Sequence, residues 1–113
     1  MSDPTVLISF KDTQASERVR ETVEARCSRM AKEFPETTKF EVTIEPEGPG
    51  FKAHAHVTGR HTDVAGNGDG QQMGEAADRM LDKLERALRK VHDKKIFKNR
   101  REARQSDNKR NTG

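Results

Sequence analysis

The sequence contains no tryptophan, no tyrosine and only one cysteine, and these absences narrow the class of protein. Five phenylalanines must supply all the aromatic packing. With Cys27 alone, no internal disulfide can form, so the chain is not a disulfide-stabilised scaffold. Cys27 falls within a helical pattern, and we predict that it fills a small gap in the core.

Long apolar runs are also missing. No stretch approaches the roughly 20 residues that span a bilayer. The N-terminus lacks the basic segment and apolar run of a signal peptide. We therefore expect a cytoplasmic protein with no membrane partner.

Charge is abundant but unevenly distributed. Hydrophobic residues make up 30% of the 113 residues and charged residues 36%, which indicates one domain with a thin core. Residues 1–78 hold 9 Lys and Arg against 14 Asp and Glu, a net charge of −5. Residues 79–113 hold 13 against 5, a net charge of +8. This asymmetry predicts a polyanionic partner.

Hydrophobic periodicity predicts an α+β fold in the order β-α-β-β-β-α. TVLISF, KFEVTIE and FKAHAHVTG alternate as half-buried strands do, and RHTDVAG adds a short fourth strand. A helix begins at the N-cap Ser16 and ends before Pro35. GNGDGQQ is expected to be a flexible loop, and the last helix begins near Gln71. Because each strand has one apolar face, we predict a four-stranded sheet with both helices packed on one face.

The apolar pattern stops near Lys95. We therefore expect a domain over residues 1–95 and a basic, disordered tail over residues 96–113, which has almost nothing to bury.

The last helix separates leucines from cations. Five cations spaced four, three, four and four residues apart form a stripe away from the apolar side. They span about 20 Å along the axis, which suits phosphates of a nucleic-acid backbone. A merely solvated face and a lipid-binding helix remain alternatives. The stripe consists of Arg79, Lys83, Arg86, Lys90 and Lys94, with Arg89 and Lys95 on its flanks.

No other motif indicates a chemical site. His54 and His56 share one face of a strand, but no further ligands complete a metal site. GNGDG lacks the Gly-Lys-Ser/Thr ending of a phosphate-binding loop. We expect no catalytic residues, metal, cofactor or small-molecule substrate, and so no enzyme.

The last helix, QMGEAADRMLDKLERALRKVHDK, resembles that of the ribosome hibernation-promoting factors, also called ribosome-associated inhibitor A or sigma-54 modulation proteins. The first helix, SERVRETVEARCSRMAKEF, is similar to the family's first helix, and the order of elements is the family's. Gly74 departs from the pattern, since the family usually has an aromatic residue there. The matching positions are Met73, Ala76, Asp82, Lys83, Leu84, Arg86, Leu88, Lys90 and Lys94.

The resemblance implies a non-enzymatic protein that binds between the head and body of the small ribosomal subunit. There it would occlude the messenger and transfer RNA sites during stress or stationary phase. We expect a monomer off the ribosome, without the second domain that pairs ribosomes in longer relatives. A general double-stranded RNA binder and a module for an acidic protein partner stay open. The predicted RNA-binding residues are Arg26, Arg29, Arg79, Lys83, Arg86, Arg89, Lys90, Lys94 and Lys95.

Overall fold

A computed structural model describes the backbone of residues 4–112 and the side chains of residues 4–94. The elements follow the predicted order β-α-β-β-β-α. Among the described residues, no helix has both the length and the apolar composition that crossing a bilayer requires. The elements are β1 (Thr5–Phe10), α1 (Glu17–Glu33), β2 (Thr37–Glu47), β3 (Gly50–Gly59), β4 (Thr62–Gly70) and α2 (Met73–Thr112).

The four strands form one sheet in the order β1-β2-β3-β4. β1 runs parallel to β2, as a strand joined by a crossover helix must, and the remaining pairs are antiparallel hairpins. Gly48, in the turn between β2 and β3, has a φ of +57°, a conformation that favours glycine. β1 and β4 are therefore the two edges of the sheet.

Alternate residues of the strands point to one face, and both helices cover that face. α2 lies on β3 and β4, whereas α1 contacts α2, β1 and β2. Fully buried side chains from the sheet and from the helix layer, such as Phe34, Phe40 and Leu84, join in one core. Cys27 is buried in it, as predicted. The predicted fold class and the packing of both helices on one face are confirmed.

Local signals in the sequence explain the bounds of α1. The Ser16 hydroxyl accepts a hydrogen bond from the Val19 backbone N–H at 3.3 Å, which satisfies one of the free donors of the first turn. At the other end, the Phe34 N–H donates to the Met30 carbonyl before Pro35 stops the helix.

The prediction of a flexible loop over GNGDGQQ was wrong, because the glycines belong to β4. Gly66 and Gly68 are buried beneath α2 and alternate with exposed Asn67 and Asp69. A Cβ on Gly66 would lie 2.9 Å from the Leu84 backbone nitrogen. Glycine is therefore needed at these positions for the close approach of helix to strand, rather than for flexibility.

The helix α2 extends beyond its predicted end. The backbone is helical to Thr112, so the predicted end near Lys95 does not coincide with a helix end. The sequence has neither glycine nor proline from residue 75 to residue 112, so no residue in this stretch breaks the helix. The division into a domain over residues 1–95 and a tail over residues 96–113 stays a prediction.

Candidate nucleic-acid interface

The packing of α2 fixes which of its side chains face outward. On its apolar side, Met80, Leu81, Leu84 and Leu88 are each at most 1% exposed. Helical residues lie about 100° apart, so side chains on the opposite side must face solvent. All five cations of the predicted stripe are exposed.

Four of these five cations form a row along the exposed side of α2. In the part of the chain whose side chains are described, Lys83, Arg86, Lys90 and Lys94 make no ion pair. We call these four residues the cationic row. Exposed and unpaired, they keep their charge and three or more donors each for an external anion.

The fifth cation of the stripe, Arg79, is engaged. Its guanidinium donates to the Asp69 backbone carbonyl at 2.8 Å and lies 3.8 Å from the Glu75 carboxylate. The carbonyl belongs to the edge strand β4, so Arg79 fastens the start of α2 to the edge of the sheet.

On the α1 side of α2, the arginines face carboxylates. Arg26 lies 3.2 Å from Asp82 and 3.4 Å from Glu85. Arg89 lies 2.8 Å from Glu33 and 3.3 Å from Glu85. These five residues are the interhelix network, since they connect α1 with α2 in both directions. Each of the two arginines faces two carboxylates and presents little uncompensated charge.

A histidine extends this connection toward the end of α1. The Nδ1 atom of His92 lies 3.0 Å from the Glu36 carboxylate, and its ring meets the edge of Phe34 at 5.5 Å between centroids. These contacts hold α2 against the segment between α1 and β2.

The predicted RNA-binding residues therefore fall into separate groups. The cationic row faces solvent, whereas Arg79, Arg26 and Arg89 are engaged within the protein. Arg29 is exposed on α1 and makes no ion pair with a described residue. The side chain of Lys95 lies outside the described residues.

Sequence reasoning identified the cations and the pairing of Glu85 with Arg89, but not the contacts between α1 and α2. Arg26 and its partner Glu85 are 59 residues apart. No local spacing rule connects such distant residues, and only the packing of α1 on α2 brings them together. A local spacing signal, four residues along α2, was available for Glu75 with Arg79 and for Glu85 with Arg89.

Nothing in the described residues assembles a metal or catalytic site. His54 and His56 are exposed on the open face of the sheet, where His56 contacts Asp63. No group of three or more metal-ligating side chains occurs among residues 4–94. Burial raises the pKa of the Cys27 thiol to about 12, so this thiol is protonated at neutral pH and is no nucleophile.

The fold and this surface define a two-layer α+β protein with one cationic helix face. The sequence profile described as Sigma 54 modulation protein / S30EA ribosomal protein matches residues 6–96, and the chain belongs to this family. The family comprises ribosome-associated regulatory proteins and not enzymes, which confirms the expectation that the chain is not an enzyme.

Three individual proteins are similar to this chain in sequence or in fold. The ribosome hibernation promoting factor of Azotobacter vinelandii is 32% identical over 93 residues, which cover 80% of this chain and 85% of that protein. A ribosomal subunit interface protein from Coxiella burnetii has a similar fold, with a TM-score of 0.71 and 17% identity over 78% of this chain and 97% of that one. The N-terminal domain of Thermus thermophilus Protein Y gives a TM-score of 0.66 and 19% identity over 80% and 99%.

Proposed function

We propose that this protein is a cytoplasmic ribosome hibernation factor. It binds ribosomal RNA of the small subunit and occludes the messenger and transfer RNA sites under stress. Family membership and the similarity to a ribosome hibernation promoting factor support the ribosomal partner. No catalytic step, cofactor or small-molecule substrate is part of this function, and the protein is a monomer off the ribosome.

The observation that carries the proposal is the cationic row. From Lys83 to Lys94 the four unpaired cations extend about 16 Å along the axis of α2, at 1.5 Å per residue. Cations at this spacing follow the phosphates of an RNA strand, and each contact releases condensed counterions. Binding therefore weakens steeply as the salt concentration rises.

Specificity has to come from shape rather than from reading base pairs. Base edges of an RNA duplex lie in a deep, narrow major groove that side chains do not reach. A junction between the head and body of a ribosomal subunit offers a folded surface in which phosphate positions are fixed. Because the spacing of the cationic row is fixed by the helix, the row favours RNA surfaces whose phosphates lie at matching distances.

The test is reversal of the row, in a variant carrying Lys83→Glu, Arg86→Glu and Lys90→Glu. These side chains are exposed and unpaired, so the variant should fold normally. We expect its affinity for purified small subunits to fall by about a hundredfold or more, because three phosphate contacts become repulsions. Co-sedimentation at physiological salt measures the loss, and circular dichroism confirms the fold.

A matched control changes the net charge equally on three lysines outside α2. Lys11, Lys39 and Lys52 lie around the open face of the sheet and make only weak ion pairs at 3.6–4.0 Å. Reversing these three lysines should leave most of the affinity intact. Equal losses in both variants would show that net charge alone governs binding, which would contradict the proposed interface.

Two further results would favour the alternatives. Binding of short RNA duplexes as tight as binding of small subunits would indicate a general double-stranded RNA binder. A partner that stays bound after nuclease treatment would indicate an acidic protein.

A further inference from the structure

A cleft of about 500 Å³ lies between the first turns of α1 and α2, on the side of α2 away from the cationic row. Its apolar lining comes from Val19, Met73 and Ala77. Its volume is within the range of pockets for small ligands, which combine an apolar lining with a few polar groups.

Two oppositely charged side chains line this cleft. Arg18 of α1 and Asp78 of α2 are both exposed and both line it. Neither side chain makes a hydrogen bond or ion pair with any residue among those described. This distinguishes them from Arg26 and Asp82 further along the same helices, which lie 3.2 Å apart. A fork of donors and a carboxylate acceptor are thus both available to one ligand.

We propose that this cleft binds a guanine base. Arginine pairs bidentately with the O6 and N7 acceptors of guanine, which is the commonest specific contact between a side chain and a base. A carboxylate accepts hydrogen bonds from the N1–H and 2-amino donors of the same base. Arg18 and Asp78 supply these two groups, and the partly exposed Met73 side chain covers the ring face.

The same chemistry excludes the other bases. Adenine presents an acceptor at N1, which the Asp78 carboxylate repels, and an amino donor where Arg18 requires an acceptor. The pyrimidines lack N7 altogether. Hypoxanthine differs from guanine only by the missing 2-amino group, so it isolates one of the two hydrogen bonds to Asp78.

Gly74 provides a means of closing the cleft. It lines the cleft, is exposed, and a Cβ built on it meets no atom within 4 Å. A larger side chain therefore has room, and it would occupy the space of the base. Replacing glycine within a helix also favours the helical state, so this change should raise the midpoint of thermal unfolding.

The guanine has two sources, an unpaired nucleotide of RNA or a free guanine nucleotide. The first rests on the proposed function, since ribosomal RNA would then have to reach this cleft as well as the cationic row on the opposite side of α2. The second is independent of the ribosome. Both use the same contacts in the cleft, so binding of guanosine monophosphate tests the cleft by itself.

The experiment titrates the ¹⁵N-labelled full chain with guanosine, inosine and adenosine monophosphate, followed by NMR shifts of residues 16–22 and 72–78. We expect guanosine monophosphate to bind most tightly, inosine monophosphate less tightly and adenosine monophosphate weakest. Asp78→Asn should lower the affinity for guanosine monophosphate by roughly fivefold to 150-fold, the range for one bidentate pair. It should also abolish the preference over inosine monophosphate.

Two further variants complete the experiment: Gly74→Leu and the variant with the reversed cationic row. Gly74→Leu should unfold at a higher temperature and bind no nucleotide, whereas reversal of the cationic row should leave nucleotide binding unchanged. Absence of shifts at millimolar nucleotide, equal affinity for adenosine and guanosine monophosphate, or an unaffected Asp78→Asn variant would overturn the proposal. These outcomes do not involve the ribosome, so they leave the proposed function standing.

Co-sedimentation of Asp78→Asn with small subunits separates the sources. Reduced ribosome binding assigns the cleft to a guanosine of ribosomal RNA. Unchanged ribosome binding, with reduced binding of guanosine monophosphate, assigns it to the free nucleotide.

Discussion

The two flanks of α2 both carry cations, but these cations differ in whether they face a carboxylate. On one flank, Lys83, Arg86, Lys90 and Lys94 face solvent and no described carboxylate pairs with them. On the other, Arg89 lies against Glu33 and Glu85 of the interhelix network. A cation that already faces a carboxylate must give up that contact before it binds phosphate, so its net gain is smaller. Counting basic residues therefore overestimates the number of phosphate contacts that a surface can make.

The orientation of α2 depends on its close packing against β4, and Gly68→Ala should disturb this packing most strongly. A Cβ on Gly68 would lie 2.7 Å from the Ala76 carbonyl oxygen and closer still to the Met80 backbone nitrogen. Since both atoms belong to helix backbone, α2 has to move away from the sheet. We expect a loss of about 1–3 kcal/mol in the free energy of unfolding, measured by urea denaturation.

Gly74→Ala is the matched control for this change. Both glycines become alanine, but nothing lies within 4 Å of a Cβ on Gly74. This variant should gain up to about 1 kcal/mol, because alanine favours the helix. A Gly68→Ala variant as stable as the wild type would mean that α2 does not approach β4 as closely as described.

The glycines of β4 show where prediction from the sequence succeeded and where it failed. Alternating apolar residues identified β1, β2 and β3, and helical spacing identified both helices and the cationic row. β4 was predicted short, because Gly66 and Gly68 occupy its inward positions and give no hydrophobic signal. Their role depends on the distance to a helix that follows later in the chain. The engagement of Arg26 with Asp82 and Glu85 depends on tertiary packing in the same way.

The salt dependence of binding to small subunits should distinguish the two flanks when one cation on each flank is replaced. Lys90→Ala removes one unpaired cation, so the slope of log affinity for small subunits against log salt should become less steep by about 1. Arg89→Ala removes a cation that faces Glu33, at 2.8 Å, and should leave the slope nearly unchanged. Binding isotherms at four or more salt concentrations give both slopes. Equal changes in the two variants would mean that Arg89 leaves its carboxylates to bind phosphate.

The smallest expected effect is the loss of stability in Arg89→Ala, and the Cys27 thiol can report it. The pKa of the buried Cys27 thiol is raised to about 12 by desolvation, so at pH 8 the folded protein holds it protonated and inaccessible. A thiol reagent at this pH reacts only with molecules that open, and its rate measures the free energy of unfolding. Because the folded pKa is raised, the stability linked to this thiol is fully present below its unfolded pKa near 9. It declines only as the pH rises from there toward 12, so the assay at pH 8 avoids that loss.

Arg89→Ala should accelerate the reaction of Cys27 by about twofold to fivefold. The ion pairs of Arg89 are half exposed, with 50% of its side chain accessible, and such pairs contribute about 0.5–1 kcal/mol. Lys90→Ala, the neighbouring substitution in the cationic row, should leave the rate unchanged, because Lys90 pairs with no described residue. If Lys90→Ala accelerates the reaction as much as Arg89→Ala, then the row also stabilises the fold. The division of α2 into a flank that binds and a flank that holds the helices together would then fail.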